Sequence, residues 1–269
     1  MNGQGKLLTH FLKNADKLVI PVYQRNYDWK EEHCKKLYSD LVKTVREGKR
    51  WHFFGGIVSV SDPMGSSSDY LVIDGQQRIT TVSLLLLAIA NLVKAGIVTP
   101  KDPNLYDVIT KKNLVDEINP KQRKMKLKPI KGDQDSYDRL WGDPSEYNQS
   151  SRITQNYLYF YNQIQQDDIS VDQLFSAVEK LQIIDITLTP PDDDPQLVFE
   201  SLNSTGLDLN EGDKIRNFVL MRRSMEEQEQ FYDDYWSPIE KNAGYDKQTN
   251  SYDVSPFIRD YLGIKERRL

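Results

Sequence analysis

The sequence predicts an α+β protein built on a small mixed sheet, with a large helical segment inserted into it and more helices at the C-terminus. Three observations carry that expectation. An apolar strand pattern, Tyr70-Leu71-Val72-Ile73, runs through Asp74-Gly75 into a long apolar helix, Ile79 to about Val93. A β-branched run recurs from Lys180 to Leu188 around Ile183, Ile184 and Ile186. Between about 100 and 180 the pattern is mainly helical and rich in Tyr, Asn and Gln. One composite domain follows, with a core of residues 1–95 and 181–225, a helical insertion 96–180 and a helical segment 226–269.

In chain order, Leu7 to Leu12 reads as a short helix and Lys17 to Tyr23 as extended chain, because Pro21 biases Ile20 away from the helical region. Asp28 is placed to cap a helix from Trp29 to about Glu47, with Leu37, Leu41, Val42 and Val45 on its buried face. Phe53 to Val60 and Tyr70 to Ile73 read as two strands joined by a loop of turn residues, 61–69. Gly96 stops the helix that begins at Ile79. After the strand at Lys180–Leu188, a short helix spans Gln196 to Leu202 and another runs from Asn210 through Met221. From Glu226 onward the pattern is helical, broken at Pro238 and Gly244.

The 269 residues are 38% hydrophobic and 28% charged, with a net charge of −5. That balance argues against a protein coated in basic charge for non-specific DNA binding. The single cysteine, Cys34, excludes an internal disulfide framework and fits a reducing cytoplasm. Cys34 with His10, His33 and His52 has no zinc-ligand spacing. Met1 to Lys6 lacks the apolar core of a signal peptide, and the run Val82 to Val93, interrupted by Ser83 and Asn91, is too short for a bilayer. A cytoplasmic location and no membrane partner are expected.

The turn Asp74-Gly75-Gln76-Gln77-Arg78 is the strongest functional signal. A strand entering a helix gathers free backbone N–H groups and the positive end of the helix dipole, which favours anions. Arg78 in the first turn opposes that dipole unless an anion lies beside it. Gln76, Gln77, Arg78, Thr80 and Thr81 supply a dense set of donors of the kind that a phosphate requires. The plain alternative is an Asp cap followed by exposed polar residues.

Three further segments add weaker signals. In Phe199 to Asp213, Asn203 falls at a helix end beside Ser204 and Thr205, a placement suited to a ribose, a phosphate or a hydrated metal. Asn210 with Asp213 three residues on resembles a capping box. In Ile20 to Trp29, Tyr23, Arg25 and Tyr27 alternate along an extended segment, and Gln24-Arg25 follows a rigid Pro turn. Aromatics interleaved with Arg can stack bases or grip phosphates, and core packing is the competing account. Around Met125 and Leu127, the alternating Lys124, Lys126 and Lys128 would form a basic ridge on one strand face, or simply its solvated side.

Three sharper motifs fail. Gly3-Gln4-Gly5-Lys6 is too short for a phosphate loop of the Walker type and follows no strand. No histidine stands beside an activated serine. Asp192-Asp193-Asp194, between prolines and just before a helix, reads as a charge cap in preference to a Mg²⁺ site.

Taken together, Ile20-Pro21-x-Tyr23-Gln24-Arg25-x-Tyr27-x-Trp29, Phe54-Gly55-Gly56-Ile57-Val58, Ile73 to Thr81 and Phe199-Glu200-x-x-Asn203-x-x-Gly206 occur in that order. This pattern resembles the N-terminal domain of GmrSD-type restriction endonucleases, over roughly residues 5–225. The resemblance implies a ParB/sulfiredoxin-like fold that binds and hydrolyses a nucleoside triphosphate, GTP or ATP, with Mg²⁺. It implies a nucleotide site at Asp74, Gly75, Gln76, Gln77, Arg78 and Thr80, closed by the Phe199/Asn203 segment, with Gln24 and Arg25 lining the cleft or a DNA-sensing surface. Asp74 would hold the metal or orient water, and Gln77 and Arg78 would meet phosphate oxygens. Tyr23, Arg25 and the three lysines are the candidates for contact with modified double-stranded DNA. Thr205 stands where relatives often carry Arg before the glycine, which removes one phosphate contact.

A His-Me finger nuclease domain or subunit usually accompanies this domain. No histidine follows His52, so the nuclease centre is expected to lie outside this chain, making it an N-terminal fragment or a stand-alone regulatory subunit. The leading expectation is an NTPase that regulates DNA cleavage. The alternatives are a nucleotide or modified-DNA sensor without turnover, and a scaffold that docks a nuclease.

Overall fold

The computed structural model describes residues 2–61, 69–116, 124–166, 168–203, 210–221, 223–246, 251–252 and 254–266. They fall into two compact units, Met1–Ile20 with Asn26–Pro195, and Pro21–Arg25 with Gln196–Leu269.

The first unit begins with strand β1 (Asn2–Leu7), helix α1 (Leu8–Asn14), β2 (Lys17–Val19), α2 (Glu31–Arg46), β3 (His52–Ser61), β4 (Asp69–Asp74) and α3 (Gln76–Lys94). It continues with α4 (Leu105–Ile109), β5 (Val115–Asp116), β6 (Lys124–Met125), β7 (Leu127–Lys128), α5 (Lys131–Arg139), α6 (Arg152–Gln166), α7 (Val171–Val178) and β8 (Leu181–Leu188). Six strands form one mixed sheet in the order β1-β8-β3-β4-β2-β7. The β1–β8 and β3–β4 pairs are antiparallel, and β8–β3, β4–β2 and β2–β7 are parallel. The α+β class expected from the sequence is the class observed.

Helix α3 is the axis of this unit. Leu84, Leu85, Leu86 and Leu87 are all fully buried, so the helix is covered on every side rather than on one stripe. Each such leucine contributes about 1.5–3 kcal/mol of transfer free energy. On α6, Ile153, Tyr157, Phe160 and Ile164 recur at helical spacing and are buried as well. By length and composition α3 would reach across a membrane, but 83% of that stretch is buried inside protein. Its polar groups are bonded within the fold. Asn91 donates to Leu140 O (3.2 Å) and Tyr157 Oη (2.9 Å), and Thr81 Oγ1 donates to Gln77 O (2.7 Å). Gly96, at φ +69°, ends the helix as expected.

Two local expectations are corrected. The α2 helix starts at Glu31, after Lys30, and not at Trp29. The backbone N–H groups of Asp28 and Trp29 both donate to Gln77, and the Asp28 carboxylate pairs with Arg152 Nε (3.2 Å), so Asp28 does not cap the helix. His33 Nδ1 instead accepts from Lys30 N (3.1 Å). The first residues form a strand despite two glycines, because six residues of β1 pair in register with β8. The loop expected at 61–69 lies mostly outside the described residues, although the hairpin pairing of its flanking strands is present.

The second unit holds α8 (Pro195–Asn203), α9 (Glu211–Leu220), α10 (Met225–Phe231), α11 (Ser237–Ile239), β9 (Tyr245–Asp246), β10 (Ser251–Tyr252) and α12 (Ser255–Glu266). Asn210 caps α9 by accepting from Asp213 N (2.7 Å). Pro238 does not break the helical run. It occupies the first turn of α11, directly after a π-helical turn, Tyr232–Trp236, a position where a missing N–H is tolerated.

A buried ion pair organises this unit. Arg216 donates through Nη1 to Glu240 Oε1 (2.9 Å) and through Nε to Val22 O (2.7 Å). Glu240 also accepts from Trp236 Nε1 (2.9 Å) and Tyr232 Oη (3.1 Å), and the Tyr232 ring lies under the guanidinium. Removing one partner of such a pair strands the other charge, which costs about 3–5 kcal/mol.

Candidate functional site

The Asp74–Arg78 turn is shaped by close packing against β3. Gly75 has φ +92°, and a Cβ there would stand 3.0 Å from both Gly56 O and Ile57 Cγ1. Only glycine satisfies both demands. Gly55, at φ +119°, leaves room for Arg78, whose Nε would lie 2.8 Å from a Cβ at that position. Arg78 Nη1 donates to Gly56 O (2.9 Å). The Gly-Gly pair of β3 and the Asp-Gly-Gln-Gln-Arg turn are therefore two halves of one interlock.

The electrostatics of the turn are partly balanced from within. Asp74 Oδ2 lies 3.6 Å from Arg78 Nη1, a long ion pair with both side chains about one-third exposed. The Asp74 side chain does not cap α3; Gly75 is the N-cap residue, and no side chain caps the helix. The positive end of α3 therefore keeps its anion-favouring character beside a partly exposed guanidinium.

The other residues of the turn divide by role. Gln77 is a buried clamp. Its Oε1 accepts from Asp28 N (2.9 Å) and Trp29 N (3.2 Å), and its Nε2 donates to Asn26 O (3.2 Å). That carboxamide is committed to the loop and does not face a ligand. Thr81 extends the clamp, with Oγ1 2.7 Å from Tyr27 Oη, which also accepts from Asn156 Nδ2 (2.9 Å). Tyr27 N donates to Asp133 Oδ2 (2.6 Å). Burial raises the Tyr27 hydroxyl well above its ordinary range, so it acts as a neutral hydrogen-bonding hub. Burial likewise pushes the neighbouring Cys34 thiol up to about 12, which makes it inert. Gln76 and Thr80 are buried at the same helix start.

The Pro21–Arg25 segment belongs to the second unit. Gln24 N closes a turn on Pro21 O (3.0 Å), and Val22 O is held by Arg216. Tyr23 is buried, edge-on to Phe199 with centroids 6.1 Å apart, and burial raises its pKa. It is core packing and not a stacking platform for bases. Gln24 is buried also, while Arg25 is half-buried. Burial raises the Asp213 pKa, opposed by the charges of Arg216 and Arg25. The backbone of Asn203 closes α8, and Ser204 to Leu209 lie outside the described residues.

The basic ridge is not formed. Lys126 is only 6% exposed, and its Nζ donates to Leu12 O (3.0 Å), Lys13 O (3.0 Å) and Lys112 O (3.1 Å). The lysine sits between two short strands rather than inside one, so the period-two face is interrupted. Two carbonyls at the end of α1 and one from the π-helical turn Thr110–Leu114 draw it inward, and desolvation lowers its pKa. Lys128 is exposed on β7. The side chain of Lys124 lies outside the described residues.

Sequence reasoning missed the clamp formed by Gln77 and the anchor formed by Arg216. Neither had a distinct signal, since glutamine in a polar turn and arginine in a helix are both ordinary surface residues.

The family model described as GmrSD restriction endonuclease, N-terminal domain, matches residues 8–220, most of the chain. The chain belongs to this family. The GmrSD N-terminal domain match spans all four blocks quoted above, including both halves of the Gly55–Gly56/Arg78 interlock. It makes the protein part of a restriction endonuclease system, within restriction-modification and phage defence. No curated protein matches the chain.

Proposed function

We propose that this GmrSD N-terminal domain binds a nucleoside triphosphate at the Gly75 turn, hydrolyses it, and uses that cycle to gate cleavage of modified DNA by a nuclease domain or subunit. The observation that carries the reading is Arg78, one-third exposed at the uncapped positive end of α3 and propped over Gly55-Gly56. Helix amides and a guanidinium converge there on the same side, the combination that a polyphosphate requires. Catalysis would rest on electrostatic positioning of the phosphates.

Mg²⁺ fits this site only as a partner of the nucleotide. Among the described residues no group of three His, Cys, Asp or Glu side chains could hold a metal alone. Asp74 is the one carboxylate at the turn, and Mg²⁺ is commonly held by one or two carboxylates plus substrate phosphates. There it would neutralise phosphate charge.

One observation favours binding without turnover as a second reading. The Gln77 carboxamide is committed to Asn26, Asp28 and Trp29, so it is not free to orient water. The test is phosphate release with each of the four NTPs, for the native chain and for Arg78→Ala, beside thermal-shift titrations of both. Turnover that falls at least tenfold in Arg78→Ala supports the NTPase. Thermal stabilisation without phosphate release supports the sensor. Turnover indifferent to Arg78 removes the site assignment.

A further inference from the structure

We infer that Lys6, aimed by Asp185, is a second phosphate-binding cation of the Arg78 site. The inference rests on the nucleotide-binding reading above and adds a residue from a different strand to it.

The registers of three neighbouring strands place these groups on one sheet face. Lys6 on β1 pairs with Ile183 on β8, and Ile183 pairs with Gly55 on β3. The adjacent row is Gln4, Asp185 and Ile57. Directly paired residues share a face of the sheet. Ile57 is the residue that Gly75 packs against, and Gly55 is the residue that makes room for Arg78. The start of α3, Arg78, Lys6 and Asp185 therefore lie on the same side. Lys6 and Gly55 are two strand spacings apart, about 10 Å. Two long cationic side chains rising from such positions can close on one polyphosphate chain from both sides.

The pair is not built like an ordinary surface ion pair. Lys6 Nζ meets Asp185 Oδ2 at 2.5 Å, with the lysine side chain 35% exposed and the aspartate 3%. Asp185 stands in a buried row with Leu181 and Ile183, and its Oδ1 is buried without a hydrogen-bond partner. A carboxylate in that state is unfavourable, and an aliphatic residue would suit the fold better. Its evident effect is to hold the lysine ammonium down at the sheet. The ammonium has three donors, and among the described residues one is used. Gly3-Gln4-Gly5-Lys6 is thus no phosphate loop, but its lysine reaches the proposed phosphate site from an edge strand.

The test is equilibrium binding of inorganic triphosphate, ATP and GTP to the full chain at several salt concentrations. Lys6→Met is expected to weaken all three about tenfold and to flatten the salt dependence, whereas Lys6→Arg retains most of the affinity. Asp185→Asn is expected to weaken binding several-fold, by releasing the ammonium. Because Lys6→Met leaves Asp185 buried and unpaired, the double variant Lys6→Met/Asp185→Leu separates fold from function. Our inference requires it to be folded and still weak in binding; native affinity in it would overturn the inference. If Arg78→Ala abolishes binding while Lys6→Met does not weaken it, this inference fails and the Arg78 site stands. If the native chain binds none of the three, both fall.

Discussion

Substituting Gly75 by alanine tests the interlock that shapes the proposed site. Two penalties add at that position. A left-handed backbone at φ +92° costs an alanine about 1–2 kcal/mol. Its Cβ would stand 3.0 Å from Gly56 O and from Ile57 Cγ1, with Ile57 Cα at 3.3 Å. Those neighbours belong to a paired strand and cannot swing aside, so overpacking adds about 1–3 kcal/mol. For a chain of this size the total lowers Tm by about 5–15 °C. Gly48 is the internal control, with φ +62° and nothing within 4 Å of its Cβ position. Gly48→Ala should therefore lose only the backbone part, about 3–6 °C. Differential scanning fluorimetry on the two variants, with circular dichroism to verify folding, makes the comparison. Equal losses would refute the packing argument, because of the two positions only Gly75 has β3 atoms within reach of an added Cβ.

Two further outcomes follow from the same geometry. Gln77→Ala leaves Asn26 O and the N–H groups of Asp28 and Trp29 without their partner, and should cost about 1–3 kcal/mol. Amide hydrogen exchange at Asp28 and Trp29 should speed up in that variant, and unchanged protection would sink the clamp. Asp213 binds its proton more readily in the folded state because burial raises its pKa. Between the ordinary carboxylate value and that raised one, the folded chain holds more protons than the unfolded chain, so stability falls as pH rises through the window. Urea unfolding of Asp213→Asn from pH 4 to 7 should lack this downward slope, and an identical slope would contradict it.

How far the sequence reaches depends on what each residue answers to. The α3 helix, its stop at Gly96 and the strand from Leu181 were legible because periodicity and a chain stop are local. Strand β1 was not, since Gly3 and Gly5 have no strand preference and the pairing with β8 lies far along the chain. Asp28 carried a proper capping signal, but its carboxylate was taken by Arg152 from another element. The lysine ridge failed for a related reason. Period two gave Lys126 a side of a strand, and two carbonyls of α1 with one from the π-helical turn Thr110–Leu114 gave it a different one. At the candidate site, the residue types were legible and their division of labour was not. Arg78 and Gln77 are neighbours in sequence, yet one half-faces solvent and the other is locked inward.

The five residues Pro21–Arg25 belong with Gln196–Leu269, while the chain on either side of them belongs to the first unit. The polypeptide therefore crosses between units at three places, and neither unit is one continuous stretch of the gene. A truncation near residue 195 would not release a clean first unit. It would strand Val22 O without Arg216 and the Tyr23 ring without Phe199, leaving a sticky apolar loop in the middle of the remaining protein. A C-terminal piece beginning near residue 196 would meanwhile lack the carbonyl that its buried arginine grips. Insoluble fragments from either cut would reflect this threading, not an absence of folding information in the halves.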